Sequence, residues 1–312
     1  MTEPTAKSMP ARALDWTLNM WFAPISPARL RIFEKAFTLT FIYYVANWGL
    51  YAREWLTTDG FHFSTDLTNY AYPDPVPPLP PEWLIPFMIV LIGAPTLIVL
   101  GVFRRPALFV TFCCAVYIQL VEIAAAFTLN KLFIVFFLLL LLVPDPEKIK
   151  VEGHDEPQWR QSAWPVRIIQ STLLIQYCTA GICKMNGDWL KEADILYGHT
   201  AGLYRNWLAT LAVLHLPHWT WIAQSVFALC FEFFAPVFFL VRKLRPLAFL
   251  MGIGMHIVIA ALMKDLIFFS AQMITFYILF LKDSQVEPLD NWIEGKRQAA
   301  IDKIFKKSPQ TP

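Results

Sequence analysis

Charged side chains are scarce in this sequence of 312 residues, because Asp, Glu, Lys and Arg together supply only 16% of it. Hydrophobic residues supply 56%, which is more apolar surface than a soluble domain of this length needs. The formal net charge is only +2, so the composition gives no support for a protein that binds nucleic acid. The scarcity of charge favours a membrane protein.

Cysteine pairs at metal-binding or redox spacing are also lacking. No two cysteines form a CxxC pair, and all five stand inside apolar runs, at Cys113, Cys114, Cys178, Cys183 and Cys230. This pattern is typical of small buried residues and argues against a disulfide framework. His215 and His218 stand three residues apart, but the sequence offers no obvious third ligand, so we expect no metal site.

Long apolar runs are what the sequence has in abundance. Several of them approach or exceed the roughly 20 residues that cross a bilayer as a helix. They do not alternate polar and apolar residues as barrel strands would, so we predict an all-α polytopic membrane protein. About eight transmembrane helices are expected, over residues 30–51, 83–103, 106–128, 129–143, 164–183, 219–241, 246–263 and 266–281.

Lys and Arg are distributed unequally between the segments that join these helices. If the N-terminus is cytoplasmic, 20 of the 26 basic residues fall in segments on the inner side of the membrane. Cytoplasmic segments of membrane proteins carry such an excess of positive charge. We therefore predict that both the N-terminus and the C-terminus lie on the cytoplasmic side.

The chain ends and one outer segment complete the predicted layout. Residues 203–216 are apolar but too short to cross comfortably, so we expect a re-entrant or interfacial helix within the outer segment 184–218. Both ends mix aromatic and apolar residues with polar ones, which is typical of amphipathic helices on the inner leaflet. The predicted divisions are a cytoplasmic N-terminus (1–29), a transmembrane domain (30–282) and a cytoplasmic basic tail (283–312).

Ionisable side chains within the predicted spans are few, and each is costly there. Glu34 and Lys35 stand near the inner end of the first span, where they are expected to reach the headgroups. Deeper positions are held by Glu122, Glu232 and His256. The 3.6-residue repeat places Glu122 and His256 near the outer level at which the fifth span ends, with Glu232 beneath them. This arrangement predicts an outward-facing polar pocket.

Lys184 ends the fifth span, and its position has two interpretations. It can be a helix-end lysine that extends to the membrane surface, just as His256 can be a core histidine bonded to a carbonyl. Alternatively, the apolar residues before Lys184 favour the neutral amine, which could act as a base on a weakly acidic hydroxyl. A membrane-dissolved hydroquinone is such an acid, and Gly181 and Gly187 would leave room for its flat ring.

The residues around Lys184 carry a resemblance to a known family. The stretch QYCTAGICKMNGDWLKEADILYGH resembles the signature of the HTTM domain proteins, the bacterial relatives of vitamin K-dependent gamma-carboxylase. The matching positions are Tyr177, Ala180, Gly181, Lys184, Trp189 and Leu190. A second stretch, FEFFAPVFFLVRKLRPLAFLMGIGMHIVIAALM, is similar to the family's Phe-Glu-x-x-x-Pro and Gly-x-x-x-His segments. There the matches are Phe231, Glu232, Pro236, Arg245, Pro246, Gly252 and His256.

The resemblance implies an enzyme of the bacterial inner membrane whose active site faces the extracytoplasmic side. In the carboxylase, the lysine of this motif deprotonates vitamin K hydroquinone, and oxygenation then gives a strong base that removes a gamma proton from a peptide glutamate. Carbon dioxide traps the resulting carbanion. The resemblance thus implies Lys184 as the catalytic base.

The cofactors and the pocket follow from the same resemblance. A reduced quinone (vitamin K or menaquinone hydroquinone) is expected, with oxygen and carbon dioxide as co-substrates and no metal. The expected partners are membrane lipids, the quinone and a secreted peptide or protein. Combined with the depth argument, the expected pocket residues are His256, Glu232, Glu122, Tyr177, Gly181, Trp189 and Asn130, the last as a partial counterpart of the carboxylase's Asn-His stretch.

Two other functions stay open. The carboxylase has a large extracytoplasmic C-terminal domain, whereas only about 30 residues follow the last predicted span here. A non-catalytic membrane protein for the maturation or export of a secreted peptide is therefore an alternative. A lipid or solute transporter is a third, although no internal repeat supports it. A tunnel open to lipid beside Lys184 would favour the enzyme, and a water-filled path reaching both faces would favour transport.

Overall fold

Helices dominate the structure, which is a computed structural model. It describes residues 9–60, 62, 76–121, 128–151, 153, 156–189 and 194–305. The α-helices of this described part are α1 (Met9–Phe22), α2 (Ala28–Trp48), α3 (Ala52–Leu56), α4 (Leu84–Leu100), α5 (Arg104–Val121), α6 (Thr128–Leu142), α7 (Trp164–Asn186), α8 (Ile195–Ala201), α9 (Trp207–His215), α10 (His218–Leu240), α11 (Arg245–Leu262), α12 (Ile267–Thr275) and α13 (Asp283–Phe305). Short 3-10 helices cover Gly49–Tyr51, Pro81–Trp83 and Phe276–Phe280.

Each of the eight apolar segments predicted from the sequence contains a helix, namely α2, α4, α5, α6, α7, α10, α11 and α12 with its 3-10 continuation. Among the described residues, four helices are long and apolar enough to cross a membrane: Pro81–Leu100, Arg104–Val121, His218–Leu240 and Arg245–Leu262. The apolar parts of α6 and α12 are shorter, at Leu129–Leu142 and Ile267–Phe280. The structure therefore supports a helical membrane protein, while the number of eight spans and the orientation stay predictions.

A small antiparallel sheet accompanies the helices, and the sequence did not predict it. Its strands are β1 (Pro24–Ile25), β2 (Glu147–Ile149) and β3 (Gln158–Ser162), in the order β1-β3-β2. Pro24 lies opposite Ser162, and Glu147 lies opposite Arg160. Strands this short give almost no period-2 signal, so the all-α prediction describes the helices correctly but is incomplete at this point.

Phenylalanine fills the centre of the helix bundle. Phe33, Phe37 and Phe41 recur every four residues of α2, so they lie on one face of the helix and are fully buried. They pack against α6 and the 3-10 helix Phe276–Phe280. On α6, for example, the ring centroid of Phe133 lies 4.9 Å from that of Phe41. Tilted and edge-to-face rings at this spacing are favourable arrangements for aromatic pairs. This core holds α2, α6 and the C-terminal apolar helices together.

The described residues of the segment 184–218, which the topology prediction places on the outer side, include two short helices where one was expected. Gly202 and Asn206 divide them: α8 ends at Ala201, and Asn206 caps α9 by accepting a hydrogen bond from the Ala209 amide at 2.7 Å. Asn side chains at this position stop a helix from extending backwards. Asn206 also donates to the Ala261 carbonyl at 2.8 Å, so the start of α9 is tied to the end of α11.

Both predicted amphipathic ends are helical in the described residues. In α1, the large apolar side chains Leu14, Trp16 and Phe22 are all more than half exposed. At the other end, α13 packs on α2, where Lys35 Nζ lies 2.6 Å from Glu294 Oε1. Glu34 pairs with Arg104, at 2.6 Å between Oε2 and Nη2. Both residues therefore have partners on other helices, and their expected position at headgroup level stays a prediction.

Candidate active site

One face of α7 presents three of the residues singled out by the sequence. Tyr177, Gly181 and Lys184 are spaced by four and three residues, so they follow one another along the same side of the helix. Tyr177 is only 3% exposed, Gly181 is buried, and the Lys184 side chain at the end of the helix is 23% exposed. Progressing along α7, the face thus runs from the buried interior towards the surface of the bundle.

Gly181 is where α7 and α10 touch through their backbones. A Cβ added at this glycine would lie 2.7 Å from the Phe233 amide nitrogen and 2.8 Å from its Cα. Only glycine permits such a close approach between helices. The space that we expected Gly181 to leave for a flat ring is therefore occupied by the backbone of α10, and that expectation is wrong. The close approach of α7 and α10 at Gly181 brings Glu232, the residue before Phe233, within reach of Lys184.

Lys184 is fixed by two contacts rather than extending freely. Its ammonium donates a hydrogen bond to Glu232 Oε2, and the two side chains form an ion pair across the α7–α10 contact. The same nitrogen lies 4.8 Å from the centroid of the Trp189 ring, within range of a cation–π interaction. Trp189 is itself held because its Nε1 donates to the Ser225 carbonyl of α10 at 2.9 Å. The ammonium is therefore turned back onto α10.

A buried chain of hydrogen bonds lies next to this ion pair. The Tyr177 hydroxyl is 2.8 Å from His256 Nε2 on α11 and 2.8 Å from the Tyr277 hydroxyl on the 3-10 helix. All three residues are less than 5% exposed. Hydroxyl and imidazole groups can each donate or accept, so the chain has two possible directions of hydrogen bonding. His256 is thus bonded to a tyrosine, and the interpretation of a histidine bonded to a carbonyl is not supported.

Gly252 leaves the space that the Tyr277 hydroxyl occupies when it bonds to Tyr177. A Cβ at Gly252 would lie 2.1 Å from the Tyr277 hydroxyl and 2.7 Å from Phe231 Cζ, so no larger residue fits without displacing them. Gly252 precedes His256 by one turn of α11, which gives the Gly-x-x-x-His spacing a physical reason. The Phe231 ring in turn packs edge-on against Tyr177, at 5.4 Å between centroids. One residue of α10 therefore contacts the tyrosine chain and the next contacts Lys184.

The comparison with known families matches this arrangement. The model of the HTTM domain matches residues 22–284, which include every residue described above for the site. The chain belongs to the HTTM domain family. No curated protein and no solved structure gives a significant match to the chain. Family membership therefore rests on the domain match, in agreement with the resemblance seen around Lys184.

Within the HTTM domain, six of the expected site residues come together: Lys184, Glu232, Trp189, Gly181, Tyr177 and His256. The order in depth differs from the prediction. Glu232 meets α7 at Lys184, whereas His256 meets α7 two turns deeper at Tyr177. The prediction had placed His256 level with Lys184 and Glu232 beneath, because positions within separate spans do not reveal how the helices are shifted along one another.

The two remaining expected residues are Glu122 and Asn130. Glu122 lies outside the described residues. Asn130 is buried on α6, where its amide donates to the Ala115 carbonyl at 3.2 Å and to Gln119 Oε1 at 3.1 Å. Nearby, Gln272 of α12 donates to the Leu129 carbonyl at 3.1 Å. Asn130 therefore belongs to a separate polar contact between α5, α6 and α12.

Tyr277 is the site residue that the sequence reasoning missed. It stands inside the last apolar run, where a phenol ring counts as one more aromatic residue and gives no periodic signal. The only available hint was that a tyrosine hydroxyl buried in an apolar helix needs a hydrogen-bond partner. As for metals, no group of three or more His, Cys, Asp or Glu residues in the described part of the HTTM chain is placed to hold an ion.

Proposed function

We propose that this protein is an integral membrane enzyme resembling vitamin K-dependent gamma-carboxylase, in which Lys184 takes the proton of a reduced quinone. The observation that carries the proposal is the Lys184–Glu232 pair, which lies against Trp189 and beside the Tyr177–His256 chain within the HTTM domain. A lysine at the end of a membrane helix needs no carboxylate partner to reach the headgroups. The pair therefore supports a chemical role.

Glu232 supplies what a lysine base requires, a place for the ammonium proton. In apolar surroundings both charges of an ion pair are poorly solvated, so moving the proton from nitrogen to carboxylate within the pair costs less than separating the charges. Glu232 can then hold the proton and leave a neutral amine on Lys184. After the amine accepts a proton from a hydroxyl, the new ammonium stabilises negative charge that develops beside it.

Two features of the site support a reduced quinone as the proton donor. Such a group supplies a weakly acidic hydroxyl and, with oxygen and carbon dioxide, the epoxidation and glutamate carboxylation known of the carboxylase. The side chains of Lys184 and Glu232 are 23% and 11% exposed, which supports access of a hydroxyl to the pair from the bundle surface. His256 Nδ1 is buried without a hydrogen-bond partner among the described residues, which leaves one polar atom of the site available.

Tyr177, His256 and Tyr277 have a positioning role in this proposal. Their hydrogen bonds fix the Tyr177 ring, and the Tyr177 ring contacts Phe231, the neighbour of Glu232. The hydrogen bonds among these three side chains can run in either direction. A change of charge at the ion pair can therefore be accommodated by rotation of the hydroxyl hydrogens, without movement of the rings. The three residues also exclude water from the deep side of the pair.

The finer topology belongs to the same proposal. Eight transmembrane helices with both termini in the cytoplasm would place Lys184 on the extracytoplasmic side of a bacterial inner membrane. This orientation is supported by the 20 of 26 basic residues that it assigns to the cytoplasm. A secreted peptide carrying the glutamate substrate would then approach from the side on which α8 and α9 lie.

Quinone epoxidation by purified protein tests the proposal. The full chain in lipid nanodiscs is supplied with vitamin K or menaquinone hydroquinone, oxygen and carbon dioxide, and the epoxide is quantified by chromatography. We expect epoxide from the unaltered protein and none from Lys184→Ala. Lys264→Ala is the matched control, because Lys264 is exposed in the turn after α11 and should be dispensable. Full epoxidation by Lys184→Ala would refute the role of Lys184 as the base.

A further inference from the structure

A cavity lies at the opposite end of the bundle from the predicted active site. It has a volume of about 160 Å³ and opens between the start of α2, the start of α5, strand β3 and α13. Four basic side chains line it: Arg31 and Lys35 from α2, Arg104 from α5 and Arg297 from α13. In the predicted topology this is the cytoplasmic membrane interface, where the phosphates of the inner leaflet lie.

Each of the four cations is anchored by a carboxylate. Arg104 donates to Glu34 through Nε at 2.9 Å and Nη2 at 2.6 Å. Lys35 and Arg297 share Glu294, at 2.6 Å and 2.8 Å. These pairs, and that of Arg31 with Asp290, hold the basic groups in position around the cavity.

These ion pairs leave some N–H donors of the four basic side chains without an acceptor in the described part of the chain. An arginine has five N–H donors and a lysine has three, which is more than these contacts use. Arg297 also donates a hydrogen bond to the Gly101 carbonyl at 3.0 Å. Arg104 Nη1 lies 3.8 Å from Asp145, which is beyond hydrogen-bond distance. Glu34 and Glu294 are engaged by arginine and lysine, while Asp145, at the exposed edge of the lining, pairs with Arg105 at 3.1 Å and is 65% exposed. The buried part of the lining therefore offers more hydrogen-bond donors than acceptors.

Gln161 is an independent sign that an acceptor belongs here. It is a lining residue of the cavity on β3, only 7% exposed, and its Nε2 is buried without a hydrogen-bond partner among the described residues. A buried amide donor without an acceptor is destabilising, because it has lost water and gained nothing in exchange. A ligand oxygen in the cavity would satisfy this donor together with those of the neighbouring arginines.

We propose that this cavity binds a phosphate group. Guanidinium groups match the oxygens of a phosphate geometrically, and several donors that converge from different elements suit a tetrahedral anion. The lining also includes Leu30, Ile98 and Val143, which give an apolar edge to the cavity. A phospholipid headgroup, with its phosphate on the basic groups and its glycerol on the apolar edge, and free phosphate share this chemistry. Basic pockets between helices on the cytoplasmic side bind lipid headgroups in this way.

Ligand titration of the purified, delipidated full chain in detergent distinguishes the two sources. Dioctanoyl phosphatidylglycerol, inorganic phosphate and dioctanoylglycerol, which lacks phosphate, are each added while the melting temperature is followed. A rise with the phospholipid alone assigns a headgroup site, and a rise with inorganic phosphate assigns a phosphate site; either supports the proposal. No rise with either, or an equal rise with dioctanoylglycerol, overturns it.

Variants then locate the binding. Gln161→Leu removes the unpartnered donor and leaves every ion pair in place, and Gln161→Leu combined with Arg297→Gln removes two contacts. We expect the double variant to weaken the apparent Kd by at least about tenfold, since hydrogen bonds to a charged group are strong. Gln158→Leu with Gln298→Leu is the matched control, because these residues lie on β3 and α13 but outside the cavity lining. An unchanged Kd in the Gln161 variants refutes this location.

Discussion

Two acid–base pairs join helices at different ends of this bundle, and they differ in the chemistry open to them. At one end, Arg104 donates hydrogen bonds from two side-chain nitrogens to Glu34 and a further one to the Leu140 carbonyl at 3.2 Å. At the other, Lys184 makes a single hydrogen bond to Glu232 and lies over a tryptophan ring. Arginine stays protonated in proteins, whereas lysine can lose its proton. The cation of the first pair can therefore hold helices together and attract an anion but cannot give up its proton, whereas the cation of the second pair is of a type that can.

Exchanging the two cation types should produce the largest effect. Lys184→Arg keeps a positive charge beside Glu232 but removes the ability to become a neutral base, so we expect epoxidation to fall by about 10²-fold or more. Arg104→Lys keeps the charge at the other pair and should leave the rate per folded molecule nearly unchanged. The rates are measured as epoxide formed per mole of protein. Activity retained in Lys184→Arg would mean that Lys184 acts through its charge alone.

Neutralising the two carboxylates should separate stability from activity. Glu34→Gln leaves Arg104 without its bidentate partner, and removing one member of a largely buried pair lowers the free energy of unfolding by about 3 kcal/mol. We expect Glu232→Gln to lower stability by a similar amount, about 3 kcal/mol, because its pair with Lys184 is also largely buried, and in addition to reduce epoxidation strongly. Unfolding in detergent gives the first quantity and epoxide formation the second. An equally strong loss of epoxidation per folded molecule in Glu34→Gln would contradict the contrast between the pairs.

The two pairs also show what the sequence could and could not predict. Hydropathy located the eight helical segments, and the letters around Lys184 indicated the HTTM family. Nothing local indicated that Lys184 would pair with Glu232, because that contact joins residues 48 positions apart and depends on the close approach at Gly181. Similarly, nothing in the sequence around Glu34 indicated a pair with Arg104, which lies 70 positions later.

Two glycines, Gly181 and Gly252, have roles in the structure that the sequence did not indicate. Gly181 was interpreted as room for a ligand, but it is room for another helix. Gly252 was noted only as a motif letter, although the structure shows that it admits the Tyr277 hydroxyl. A glycine in an apolar helix can serve either purpose, and only the packing of the neighbouring helix decides between them. This is also why Tyr277 could not be found from its own position.

Adding one methyl group on α11 tests that packing. Gly252→Ala places a Cβ 2.1 Å from the Tyr277 hydroxyl, so the chain to Tyr177 and His256 must shift, and we expect a loss of about 1–3 kcal/mol. Gly254→Ala is the matched control, because nothing lies within 4 Å of a Cβ at this position of the same helix. Melting temperatures of both variants are compared with that of the unaltered protein. Equal melting temperatures for the two variants would show that the site tolerates the displacement.

The smallest effect is expected where α13 rests on α2, outside the predicted spans. Burial alone would raise the pKa of Glu294, but the hydrogen bond and charge of Lys35, together with Arg297 and Arg31, outweigh it and hold the pKa below its ordinary value. A carboxyl group with a lowered pKa contributes stability that is fully present above its unfolded pKa, about 4.3. That contribution is lost as the pH falls through the lowered folded value.

Docking of α13 should therefore be constant near neutral pH and weaken only in acid. Hydrogen exchange of the α13 backbone amides, corrected for the intrinsic exchange rate at each pH, reports the docking between pH 7 and pH 3 without any substitution elsewhere. Glu294→Gln should remove part of the acid transition, whereas Asp302→Asn, on the exposed side of the same helix, should not. If Glu294→Gln left the transition unchanged, Glu294 would not control the docking. The transition should leave the Lys184–Glu232 pair unaffected, because Glu294 holds α13 to α2 while Glu232 holds α10 to α7.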